Sequence, residues 1–147
     1  MIKNLEVRGK RIVHRVFLGL GSNLGDRQAH LTQAISLIAE KVGSVIRQSS
    51  FIETEPWGFE SPNKFMNAVI LCETTKTPRE VLKLTQQIER DMGRRKKSVA
   101  GGYADRPIDI DILLYDDLNV DEPDLKIPHP LMHERDFVMI PFNEILK

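Results

Sequence analysis

Cysteine is all but missing from this sequence. The single one, Cys72, excludes an internal disulfide, and its place in the run AVILC (68–72) reads as a small core residue rather than a nucleophile. One unpaired thiol suits a reducing compartment, so a cytoplasmic location is expected. Long apolar runs are missing too. The longest is five residues, against the roughly 20 that a membrane-spanning helix needs, so no membrane partner is expected. The N-terminal stretch MIKNLEVRGKRIVHR has no apolar segment of the kind a secretory signal carries, and Glu6 speaks against a transit peptide. Residues 1–15 are read as a loose extension ahead of the first strand. An excess of either charge is absent: 21 Lys+Arg balance 21 Asp+Glu, and aromatics make up only 6%. A nucleic-acid binder usually carries a basic surplus or aromatic stacking platforms, so no nucleic-acid partner is expected. Repeats, low-complexity tracts and linkers are absent, and 147 residues are read as a single domain, 1–147.

What is present is an orderly succession of elements. Val16–Leu20 (VFLGL) is an apolar run ended by Gly21, which predicts a buried strand. Asp26 is placed to cap a helix whose apolar face is Leu31, Ala34, Ile35, Ile38 and Val42, with Gly43 as its stop. Val45–Glu53 and Phe65–Thr74 read as strands around a turn-rich stretch, TEPWGFESPN. Thr77-Pro78-Arg79-Glu80 is a capping box with Pro in the first turn. It opens a helix with the stripe Val81, Leu84, Thr85, Ile88 and Met92, ended by Gly93. A loop, RRKKSVAGGYAD (94–105), leads to a strand over 106–115, and a hairpin and one or two helical turns are expected beyond Asp116. The order predicts an α+β fold: a ferredoxin-like βαββαβ antiparallel sheet with both helices packed on one face and a C-terminal extension.

The strand RPIDIDILLY (106–115) carries the sharpest chemical signal. Ile108, Ile110, Ile112 and Leu114 are expected on one face, and Asp109 and Asp111 on the other. Residues i and i+2 of a strand lie roughly 7 Å apart on one face, a spacing that suits two carboxylates holding one or two hard cations. An amphipathic strand with a solvated face is the plainer account, but like charges repel at short range and Asp is a poor strand former. Just upstream, Arg94, Arg95, Lys96, Lys97 and Arg106 form a basic cluster. Such a run is ordinarily just solvated; beside an Asp pair it suits a polyphosphate. Gly21-Ser22-Asn23-Leu24-Gly25 lacks the Lys of a Walker A loop and is read as a tight strand-to-helix turn. Phe65 and Asn67 are again i and i+2, a ring and a carboxamide that together suit a flat heterocycle, although a buried Phe is more often simply core. Trp57, in a loop, is read as a cover for a ligand. His14 and His30 are read as surface residues. His129 and His133 lack a third ligand for zinc, and His129 is read as a contact to an anion.

Together RPIDIDILLY, PHPLMHERDFVMIPFNEI, LGLGSNLGDR and the FMNAV strand resemble the 6-hydroxymethyl-7,8-dihydropterin pyrophosphokinase family of folate biosynthesis, over Val16 to Ile145. The resemblance implies transfer of diphosphate from ATP, as co-substrate, to the pterin hydroxymethyl group, with release of AMP. It implies that Asp109 and Asp111 hold two Mg²⁺ ions and that Arg94 and Arg106 act on the phosphates. Gln86, Glu89, Lys96, Ile112, His129 and Arg135 would surround the nucleotide. Thr54, Glu55, Trp57, Phe65, Asn67 and Phe137 would form the pterin pocket, with Phe65 and Phe137 sandwiching the ring and Glu55 and Trp57 contributing backbone. ATP and the pterin are the expected partners, and a monomer is expected. The rivals are a ferredoxin-like binding module without catalysis and a metal-dependent phosphohydrolase. Neutral charge disfavours an RNA-binding module, and the Phe/Asn pair is left unexplained by a hydrolase.

Overall fold

A computed structural model of the chain describes residues 6–7, 10–56, 61–93 and 105–146, with side chains from residue 12 onward. Ahead of the main sheet, β1 (Glu6–Val7) and β2 (Lys10–Arg11) pair antiparallel, so the lead-in contains a small hairpin. The strand expected at Val16–Leu20 is longer: β3 spans His14–Ser22. Asp26 caps α1 (Arg27–Lys41), its carboxylate accepting from Ala29 N at 3.1 Å. Gly43 follows, but not as a left-handed stop. A Cβ there would collide with the carbonyl of Glu73, so glycine is needed for close approach of two backbones.

The expected strand over Val45–Glu53 is two. β4 (Ser44–Gln48) and β5 (Ile52–Thr54) both pair with β6 (Phe65–Thr74), and the chain breaks between them at Ser49. Ser49 is the physical reason. Its N–H donates to Val69 O and its buried hydroxyl accepts from Val69 N, both at 2.9 Å, so a side chain replaces one rung of the ladder. The capping box forms as read: Thr77 and Glu80 bond each other's main-chain N–H at the start of α2 (Pro78–Asp91), and Gly93, at φ 98°, ends it.

β7 (Asp109–Tyr115) completes the sheet, whose order is β4-β6-β3-β7 with β5 also on β6, the ferredoxin-like arrangement expected. The C-terminal extension holds the hairpin of β8 (Val120–Glu122) and β9 (Leu125–Ile127), one 3₁₀ turn (Met132–Glu134) and α3 (Asp136–Ile145). At ten residues α3 is longer than the one or two turns expected.

The sheet has two unlike faces. Against α1 and α2 lie Val16, Leu18 and Leu20 of β3 with Ile108, Ile110 and Ile112, meeting Leu31, Ile38, Val81 and Ile88. Each fully buried aliphatic of this size contributes about 1.5–3 kcal/mol. On the opposite face Phe17, Val69, Leu71 and Leu113 meet Val138, Phe142 and Ile145. The alternation read along β7 breaks here. The register with β3 shifts between Phe17 and Leu18, so Leu113 and Leu114 both pack on the α3 side and Tyr115 returns to the helix side. His14 is likewise not a surface residue. It is buried, 2.7 Å from Asp116 Oδ2, with its ring beside that of Tyr115.

Candidate active site

α3 covers only part of its face of the sheet. Beyond it β3 places Gly19 and Gly21 in sequence with Phe17, and nothing but backbone remains at those two positions. Their neighbours on β7 are Asp111 and Asp109; on β6 they are Val69 and Asn67. Asp109, Gly21 and Asn67 thus form one row across three strands, with the glycine in the middle. Two interstrand spacings of about 4.8 Å each separate the carboxylate from the carboxamide. A cavity of about 420 Å³ opens over this row.

Its walls bring together residues that are far apart in sequence. Thr54, Glu55, Phe65, Asn67, Arg106, Asp109, Asp111, His129, Arg135 and Phe137 all line it. Asn67 Nδ2 donates to Thr54 Oγ1 at 2.6 Å, which fixes the carboxamide. A Cβ on Gly21 would stand 2.7 Å from Asn67 Oδ1, so glycine makes that orientation possible. The Arg106 guanidinium lies 5.6 Å from the centre of the Phe65 ring, with Nη1 3.9 Å from Asp109 Oδ1. The Arg135 guanidinium lies 5.5 Å from the Phe137 ring. Both are within reach of a cation–π contact, so each aromatic wall has a cation at its margin. His129 is set beside β7 by its own N–H, which donates to Leu113 O at 2.9 Å.

Other expected residues stand elsewhere. Glu89 is buried on α2, and its Oε2 accepts from Ile110 N at 2.8 Å. Gln86 is half-buried on the same helix, and the Ile112 side chain points into the helix-side core. None of the three lines the cavity. Trp57, Arg94 and Lys96 lie outside the described residues. His30, expected on the surface, is half-buried, with Nδ1 3.3 Å from Ser22 Oγ. The wall residues Pro130, Leu131 and Val138 were not anticipated, nor was the glycine floor; Gly19 and Gly21 flanking Leu20 carried the signal. Outside this cavity Arg27 bonds Glu53 at 2.8 Å and holds that carboxyl below its ordinary range.

The family model for 7,8-dihydro-6-hydroxymethylpterin-pyrophosphokinase (HPPK) matches residues 17–147. The chain belongs to this family. A relative from Porphyromonas gingivalis, a 2-amino-4-hydroxy-6-hydroxymethyldihydropteridine pyrophosphokinase, is 50% identical over 131 residues, covering 88% of this chain and 89% of its own. The Bacillus subtilis protein of the same name is 41% identical over 130 residues, covering 88% and 76%. Among solved structures, wild-type Plasmodium falciparum HPPK-DHPS matches 90% of this chain with a TM-score of 0.73 at 16% identity. That match shows the shared HPPK fold; this chain spans 41% of the Plasmodium chain.

The donor set fits a hard cation. Asp109 and Asp111 are half-buried, on one face, and open to the cavity. Among the described residues no group of three or more His, Cys, Asp or Glu is gathered to hold a metal, so the strand offers two carboxylates and little else. That suits Mg²⁺, which keeps waters and takes substrate phosphates as further ligands.

Proposed function

We propose that the protein transfers diphosphate from ATP to the hydroxymethyl oxygen of 6-hydroxymethyl-7,8-dihydropterin, releasing AMP, as a step of folate biosynthesis. One observation carries the reading: a single row across the sheet places the fixed Asn67 carboxamide at one end and the Asp109 carboxylate at the other, with cavity between. At the Asn67 end the pterin ring lies between Phe65 and Phe137 and is read through its hydrogen-bonding edge, with Thr54 holding Asn67. At the other end Asp109 and Asp111 would hold two Mg²⁺ ions, which supply charge neutralisation for the phosphate oxygens.

The pterin hydroxymethyl oxygen attacks the β-phosphorus of ATP in line, its proton passes to solvent, and AMP leaves. Arg106, between Phe65 and Asp109, sits at the boundary of ring and phosphate and draws the two together. Arg94 and Lys96 add charge from the basic loop. His129 and Arg135 face the nucleotide phosphates, Gln86 and Glu89 flank the nucleotide from α2, and Ile112 contributes through its main chain. Glu55 and Trp57 border the pterin through backbone. Positioning provides most of the acceleration, since phosphoryl chemistry asks little covalent work of the protein. A monomer acting on small molecules in the cytoplasm completes the reading; Cys72 is buried and its thiol is pushed up to about 11 by desolvation, which suits a structural thiol. A chromatographic assay with ATP, Mg²⁺ and the pterin tests it. AMP and pterin diphosphate appearing in equal amounts are expected; ADP or free phosphate, or no product, would overturn it.

A further inference from the structure

The strand-to-helix turn that begins at Asn23 does more than turn the chain. Asn23 is buried and tied to segments 40 or more residues away: Oδ1 accepts from Arg106 N at 2.7 Å, and its own N–H donates to Arg106 O at 3.1 Å. Its Nδ2 donates to Asp105 Oδ1 at 2.6 Å, with a longer contact to Asn63 O at 3.4 Å. The second oxygen of Asp105 accepts from Asn63 Nδ2 at 2.9 Å. Two carboxamides therefore clamp one carboxylate, and three segments meet at one point. Two of them continue directly into walls of the cavity. Asn63 stands two residues before Phe65, and Asp105 one residue before Arg106.

We infer that Asn23 is a positioning residue for the diphosphate transfer: the Asn23–Asp105–Asn63 clasp sets Arg106 and Phe65 at a fixed separation, and so sets where the phosphate end of the cavity lies relative to the ring end. The inference rests on the pyrophosphokinase reading. Asn23 itself does not line the cavity, so it acts through Arg106 and Phe65. Its chemistry is demanding. The position needs an acceptor for Arg106 N and a donor for Asp105 on one short side chain, and a carboxamide supplies both.

The test exchanges donor and acceptor across the clasp. Asn23→Asp keeps the acceptor for Arg106 N but sets two carboxylates against each other. Asn23→Asp combined with Asp105→Asn restores the pairing in reverse, with Asn63 still bonded to the carboxamide oxygen at 105. Turnover, KM for each substrate, calorimetric ATP affinity and the thermal midpoint are measured for the unaltered protein, the single variant and the double variant. Asn23→Asp is expected to lower kcat by roughly tenfold or more while ATP affinity stays within about twofold, and the double variant to recover most of the loss. A folded single variant with unchanged kcat would overturn the inference, as would a folded double variant no better than the single. Loss of folding in both would make the clasp a structural element only and overturn it as well. No AMP from the unaltered protein would sink the pyrophosphokinase reading and this inference together; the other adverse outcomes sink the clasp alone.

Discussion

β3 builds a core with one face and a cavity with the other. Val16, Leu18 and Leu20 point to the helices and are fully packed, whereas the opposite face runs Phe17, Gly19, Gly21, from ring to bare backbone. The same strand gains stability from side chains on one side and makes room on the other by having none. The two faces should therefore fail differently when altered: one by unfolding, the other by losing chemistry in a folded protein.

The largest effect is expected at the edge of the empty face. Asp109→Ala or Asp111→Ala should lower turnover by about a thousandfold, roughly 4 kcal/mol of transition-state stabilisation. The thermal midpoint should stay close to that of the unaltered protein, because relief of the repulsion between two like charges on one strand face offsets loss of the contact between Asp109 and the buried Arg106. A variant that unfolds instead would make these carboxylates structural and dissolve the distinction between faces. Leu18→Ala is the converse. A fully buried leucine truncated in a packed core costs about 2–5 kcal/mol, which denaturant titration would show, while kcat per folded molecule stays level. Gly21→Ala sharpens the contrast, since it adds one methyl group to the cavity floor and displaces the Asn67 carboxamide. The KM for the pterin should rise roughly tenfold, about 1.4 kcal/mol, with the KM for ATP unchanged; equal changes in both would mean that the floor does not belong to the ring end. The smallest effect is Thr77→Ala, on the helix side. Losing the Thr77 half of the capping box should cost about 1 kcal/mol in denaturant titration and nothing in turnover.

Local signals were legible and distant ones were not. Phe65–Thr74 and the Thr77 box were readable because apolar runs and cap chemistry are encoded within a few residues. Asp109 and Asp111 stood out because charge in a buried strand is costly. The bulge that turns Leu114 toward α3 was hidden, since it depends on register with β3 and not on the composition of β7. The split at Ser49 was hidden for a similar reason: a serine hydroxyl replacing a ladder bond looks, in sequence, like one more polar residue in a strand. His14 read as exposed because its partner, Asp116, is 102 residues away. Asn23 lay in a motif singled out as a turn, and its partners at 105 and 106 are 82 and 83 residues on. Much of the cavity was visible as separate residues, and the clasp that aligns them was visible only once folded.

The outer margin of β7 has a consequence for handling the protein. An unpaired strand border is where sheets of different molecules stick together. Here Glu89 takes the N–H of Ile110, and the main chain at His129 takes the carbonyl of Leu113. Two of the hydrogen-bonding groups a foreign strand would seek are thus already engaged. Among the described residues the other border is β4 followed by β5, five and three residues long and broken at Ser49, with β4 irregular between Val45 and Arg47 and the Arg47 side chain turned to the carbonyl of Ile145. Neither border offers a long, flat template, so concentrated solutions of the folded protein should resist sheet-to-sheet aggregation.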